Sequence, residues 1–160
     1  MKILSIPNEN GKMTCFWEEG ASSGKKPLII CLADKEEDAQ RDLNLLFSQA
    51  NGASVAALVI YPQTEEQIVG DWLYSLRQRE DVDENRITLT GTLSAADWVW
   101  RLGSHFPQWF AGICAVGGYG DPYEVRAMKN VPVRAYLVEE EPQIIPVSYT
   151  HLTLPTNREV

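Results

Sequence analysis

The residues Ile87-Thr-Leu-Thr-Gly-Thr-Leu-Ser-Ala-Ala-Asp-Trp-Val-Trp100 place a serine where its hydroxyl could do chemistry. An apolar run gives way at Gly91 to a segment of helical period, and Ser94 falls at the change. A serine at a sharp strand-to-helix turn can attack an acyl carbon if a histidine takes its proton and a carboxylate orients the histidine. The sequence has two histidines, His105 and His151. His105 closes an amphipathic segment, where an imidazole serves the negative end of a helix better than it serves as a base. Ser94 also has a purely structural use. Ser94-Ala-Ala-Asp97 has the spacing of a capping box, in which the serine closes the start of a helix and contributes about 1 kcal/mol.

Other chemistries find less support. Gly117-Gly-Tyr-Gly-Asp-Pro122 could cradle a phosphate, but no Gly-Lys-Ser/Thr follows it, so it reads as a turn after a strand. The acidic run Asp34-Lys-Glu-Glu-Asp38 opens a segment of helical period, where acids favour the positive end of the helix dipole. Glu139 and Glu140 read as a solvated strand end. Cys15, Cys31 and Cys114 lie in apolar runs without Cys-x-x-Cys spacing and read as buried thiols, so neither a metal site nor a cofactor site is expected. Trp98 and Trp100 read as packing residues.

The elements that must position Ser94 follow from the hydrophobic pattern. Residues 13–17 and 28–32 read as strands, and these two opening strands are expected to pair antiparallel at one edge. Residues 36–49 put Ala39, Leu43, Leu46 and Phe47 on one helical face. Residues 55–61 form a continuous apolar run ended by Pro62, a strand covered on both sides. A helix over 65–79 turns Ile68, Trp72, Leu73 and Leu76 inward. Then come a strand over 86–90, a helix over 95–106, a strand over 111–116, a short helix over 123–128 and a strand from Val131. Strands alternating with helices give an α/β fold with a mostly parallel, doubly wound sheet, whose functional residues gather at the carboxyl ends of the strands.

The chain has 160 residues, 44% hydrophobic and 22% charged, with a formal net charge of −8. That is one domain's worth of core, and the acidic balance with no basic cluster argues against a nucleic-acid or membrane partner. No apolar run is long enough to span a bilayer, and the N-terminus lacks the apolar core of a signal peptide, so a cytoplasmic location is expected. The last residues, 147–160, break from this pattern. Val-Ser-Tyr-Thr-His-Leu-Thr-Leu-Pro-Thr resembles the translation of a transposon sequencing adapter, so residues 1–146 are expected to be an incomplete domain and 147–160 a non-native tail that contains His151.

From Val82 to Pro122 the sequence resembles the α/β-hydrolases, in particular the esterase and peptidase branch related to polyhydroxybutyrate depolymerases and prolyl-oligopeptidase-like enzymes. "VDENRITLTG", "FPQWFAG" and "GGYGDP" carry the resemblance without a gap, "KKPLIICLAD" is similar to the family's first parallel strand, and "VPVRAYLVEEEPQIIP" to its strand before the acid. The resemblance implies a serine hydrolase of carboxylic esters or peptides. Carried over residue by residue, however, its nucleophile falls on Leu93, which has no nucleophilic atom, and its oxyanion-hole His-Gly falls on Ala33-Asp34, where a carboxylate has the wrong sign for an oxyanion. Its acid falls on Glu141, which suits that role. Its histidine would follow Pro146. Moving the nucleophile to Ser94 needs an insertion before it and a compensating deletion after it, and it sets Thr92 and Ala96 where the turn wants glycine-sized neighbours.

Three functions are therefore open. The first is a degenerate hydrolase that retains the scaffold and binds a small ester, peptide or acyl ligand. The second is an active serine hydrolase using Ser94, Glu141 and a histidine beyond Pro146. The third is a ligand-binding module outside the hydrolases. The oligomeric state is open.

Overall fold

The expected alternation of strands and helices is present in the computed structural model, which describes residues 1–8, 11–137 and 158–159. The chain forms two units, Met1–Ile87 and Thr88–Val160.

In the first unit, β1 (Lys2–Asn8) pairs antiparallel with β2 (Gly11–Glu18), Lys2 opposite Trp17. β2 pairs antiparallel with β4 (Ser54–Val59), and β4 pairs parallel with β3 (Lys26–Ala33), Leu28 opposite Ser54. The expected pairing of the two strands 13–17 and 28–32 is corrected: β4 stands between them. The reason is burial. Every residue of β4 is buried, so it needs a neighbour on each side, while the edge falls to β1, with Ile3 exposed. β1 carries no clear strand signal because Pro7 interrupts it, and an edge strand tolerates proline.

Helix α1 (Glu36–Ser48) buries Ala39 and Leu43, with Leu46 and Phe47 packed on Phe16, Cys31, Ala33, Val55, Ala57 and Val59, the face the periodicity indicated. Its first turn carries Glu36, Glu37 and Asp38, at the positive end of the dipole. Helix α2 (Glu66–Arg77) buries Val69, Trp72, Leu73 and Leu76, an i, i+3, i+4, i+7 set in which Val69 takes the place expected of Ile68. Burial pushes the Cys15 thiol up to about 12, against the pull of the Arg79 charge. Burial also pushes the Cys31 thiol up to about 12, reinforced by the Asp42 carboxylate.

Strand β5 (Val82–Thr92) begins in the first unit and runs into the second. It starts before the expected Arg86 because its first residues are polar and hide the period-two pattern. Asp83 accepts from the Arg86 guanidinium at 2.7 Å and from the Asn85 amide at 3.0 Å.

In the second unit, β5, β6 (Gly112–Val116) and β7 (Val133–Tyr136) are parallel neighbours, with Leu89 opposite Ile113 and Ala115 opposite Ala135. A two-residue strand, Arg158–Glu159, lies parallel to β7. Leu89, Gly91, Ile113, Ala115 and Ala135 are buried on one face. Helix α3 (Ser94–His105) packs against β6 and against a 3-10 helix, Val125–Met128, which lies within the short helix expected over 123–128. Cys114 differs from the expectation of burial. It is half-buried on the opposite face, in an open groove of about 450 Å³ with Thr88, Val133 and Arg134 among its walls. No helix among the described residues is long and apolar enough to cross a membrane.

Candidate functional site

The turn from β5 into α3 is built from its small residues outward. Gly91 is the last buried residue of the strand, and a Cβ there would sit 2.9 Å from Val99 Cγ2 and 3.1 Å from the Ala95 carbonyl oxygen. With hydrogen in that place, the helix folds back over the strand that leads into it. Ala95 and Ala96 are buried for the same reason, because α3 begins too close to the sheet for larger side chains.

Leu93 is the tip of this turn. Its backbone has φ +55° and ψ −123°, a conformation glycine adopts freely and a leucine adopts at a cost of about 1–3 kcal/mol. Its side chain is 50% exposed. The backbone around it is fixed: the Leu93 amide donates to the Val116 carbonyl at 2.7 Å, and the Leu93 carbonyl accepts from the Ala96 amide at 3.0 Å. Relief of the tip strain outweighs the chain entropy that glycine adds to the unfolded state, so Leu93→Gly is expected to raise the unfolding free energy by about 1 kcal/mol. A urea titration measures this, and a destabilised variant would show that contacts of the leucine side chain outweigh the strain.

Ser94 is exposed and is the first residue of α3, with Leu93 in the capping position. The capping-box reading put Ser94 in the capping position, and this is corrected: Leu93 holds that position and makes no side-chain cap bond. The helix starts one residue earlier than that box requires, because Leu93 at the tip takes the capping position and Ser94 becomes the first helical residue. Asp97 instead reaches out of the helix. Its Oδ1 accepts from the Tyr119 amide at 2.6 Å, in the loop that follows β6.

That loop is the second wall of the turn. Gly117 and Gly118 take φ of +76° and +73°, and the Gly117 amide donates to the Tyr136 carbonyl at 2.8 Å. A Cβ on Gly118 would lie 2.7 Å from Ala96 Cβ and 2.9 Å from both the Asp97 amide nitrogen and Oδ1. Beyond it, Asp121 Oδ1 accepts from the Tyr123 amide at 2.8 Å, and the Tyr123 ring is largely exposed beside the Arg126 guanidinium. Residues 117–122 form the post-strand turn that the sequence indicates, and their tie to Asp97 is an addition to that reading. The only signal was an acid in the first turn of a helix, which capping explains equally well.

The remaining candidates lie as follows. Ala33 is buried at the end of β3, its carbonyl accepting from the Ile60 amide at 2.8 Å, and Asp34 is exposed in the bend before α1. Both belong to the first unit, whereas Leu93, Ser94 and Asp97 belong to the second. Glu141 and His151 lie outside the described residues. His105 ends α3 with Nε2 3.3 Å from Glu124 Oε1. Trp100 is buried, and Trp98 lies under the Arg101 guanidinium at 4.6 Å.

No protein-family model matches the sequence, and no curated protein matches it. Solved structures do. A thermostable esterase superposes with a TM-score of 0.75 at 16% identity, over 96% of this chain and 50% of its own. A 2,6-dihydroxy-pseudo-oxynicotine hydrolase superposes with a TM-score of 0.66 at 14% identity, over 98% of this chain and 57% of its own. An acetyl xylan esterase from Aspergillus awamori gives a TM-score of 0.58 at 10% identity, over 75% of this chain and 53% of its own. The chain thus has the α/β-hydrolase fold, mostly parallel as the sequence indicated, and it spans about half the length of the solved structures it matches.

Proposed function

We propose that this chain is an esterase-related α/β-hydrolase domain that binds a small ester, peptide or acyl ligand without cleaving it. The observation that carries the reading is Leu93 at the exposed tip of the β5–α3 turn, in a backbone conformation that is costly for a leucine. A strained, exposed tip at the carboxyl end of a parallel strand is where this fold class presents its reacting group. Here that position offers a hydrocarbon side chain. Attack on an acyl carbon needs a nucleophilic oxygen or sulfur, and stabilising the resulting oxyanion is worth several kcal/mol that Ala33-Asp34 is poorly suited to supply.

A second reading rests on Ser94, which is exposed and directly follows the tip. In it Ser94 attacks, Glu141 orients the base, and the histidine comes from beyond Pro146. One experiment separates the two. The chain, and a longer product of the same gene extending past Pro146, are treated with a fluorophosphonate and with a chromogenic short-chain ester. On the binding reading neither protein is labelled and neither turns over the ester above the uncatalysed rate. Labelling of the longer product that disappears in Ser94→Ala would establish the serine hydrolase in its place.

A further inference from the structure

One hydrogen bond ties the turn to the end of β6, and another ties the glycine loop to the first turn of α3. Before the helix, the Leu93 amide donates to Val116, the last residue of β6. Inside the first turn of the helix, Asp97 Oδ1 accepts from the Tyr119 amide at 2.6 Å. The second is the more informative, because a carboxylate in a first turn could be satisfied by the free amides of its own helix. An acid in a first turn already gains from the dipole and from nearby helical amides. This carboxylate serves a separate segment, through a charge-assisted bond that is short and strong for its class.

The loop is shaped to receive it. Gly117 and Gly118 have consecutive left-handed conformations, which reverse the chain so that the Tyr119 amide faces α3. Gly118 passes so close to Ala96 and Asp97 that any Cβ would collide. Gly120 rests against the Trp100 indole, where a Cβ would stand 3.3 Å from Cδ2 and Cε3. The loop therefore lies along one face of α3, touching Ala96, Asp97 and Trp100, with the carboxylate as its charged attachment.

We propose that Asp97 is a positioning residue: it locks the 117–120 loop against the first turn of α3 and so sets the backbone surface presented beside Leu93. The assignment holds whether that surface binds a ligand or supports catalysis, so its failure and the failure of the functional reading are distinct.

The test is spectroscopic. In isotope-labelled wild-type protein, a scalar coupling across the hydrogen bond is expected between the Tyr119 amide nitrogen and the Asp97 carboxyl carbon. In Asp97→Ala the Tyr119 amide is expected to exchange with solvent at least about tenfold faster. The Phe106 amide, which caps the end of α3 by donating to the Leu102 carbonyl at 2.9 Å, should change less than about twofold. Asp97→Asn keeps an acceptor oxygen and should restore most of the Tyr119 protection. No coupling in the wild type, or Tyr119 protection unchanged in a folded Asp97→Ala, overturns the proposal. If the alanine variant does not fold, the wild-type coupling decides.

Discussion

Gly118→Ala is expected to lower the unfolding free energy by about 3 kcal/mol, and Gly24→Ala by only about 1 kcal/mol. The two glycines share a positive φ, +73° and +74°, so each substitution carries a penalty for an L-residue with φ in the left-handed region. They differ in surroundings. An added methyl at Gly24 meets nothing within 4 Å, whereas at Gly118 it would lie 2.7 Å from Ala96 Cβ and 2.9 Å from the Asp97 amide nitrogen and Oδ1. Those atoms belong to a helix start whose Ala95 and Ala96 are already buried, so relief requires the loop or the helix to shift. Overpacking of that kind costs about 1–3 kcal/mol beyond the conformational term. Denaturant titrations of the two variants measure the difference. Equal losses would mean that the loop relaxes freely, and the close approach of 117–120 to α3 would carry no energy.

Most of the framework was legible in the sequence because it rests on apolar spacing. Ala39 and Leu43 mark the inward face of α1, and the all-apolar stretch of β4 marks a strand with neighbours on both sides. Pairing was less legible. Nothing in 13–17 states that its partners are β1 and β4, since period-two patterns fix which face a residue takes and not which strand lies next. At the turn, Gly91, Ala95 and Ala96 could be read as small residues of a tight bend. The position of the helix start could not. One residue decides whether Ser94 caps α3 or begins it, and that depends on the tip conformation of Leu93, which no local spacing encodes. The bond from Asp97 to Tyr119 is less legible still, because it joins residues 22 apart through a loop whose path is set by two left-handed glycines.

Trp100→Ala is expected to cost about 4 kcal/mol, the largest loss of any substitution considered for this chain. The indole is 2% exposed, and its removal leaves a cavity lined by the glycine loop and by α3 itself, neither of which can collapse far while Gly118 is pressed against Ala96. The consequence extends beyond stability. Trp100 supports Gly120 from below, and Asp97 holds the adjacent Tyr119 by its amide, so the two side chains restrain one segment at neighbouring residues. Their substitutions should therefore not add. Once Trp100→Ala has freed the loop, removing the carboxylate has less left to release, and Asp97→Ala with Trp100→Ala should cost about 1 kcal/mol less than the sum of the single changes. Side chains acting on separate structures would give a sum correct to within about 0.5 kcal/mol. A double-mutant cycle by urea denaturation decides between these outcomes. A coupling near 1 kcal/mol would make the loop and the first turns of α3 one cooperative unit around Leu93. Additivity would reduce Asp97 to a surface acid whose bond to Tyr119 has no mechanical effect.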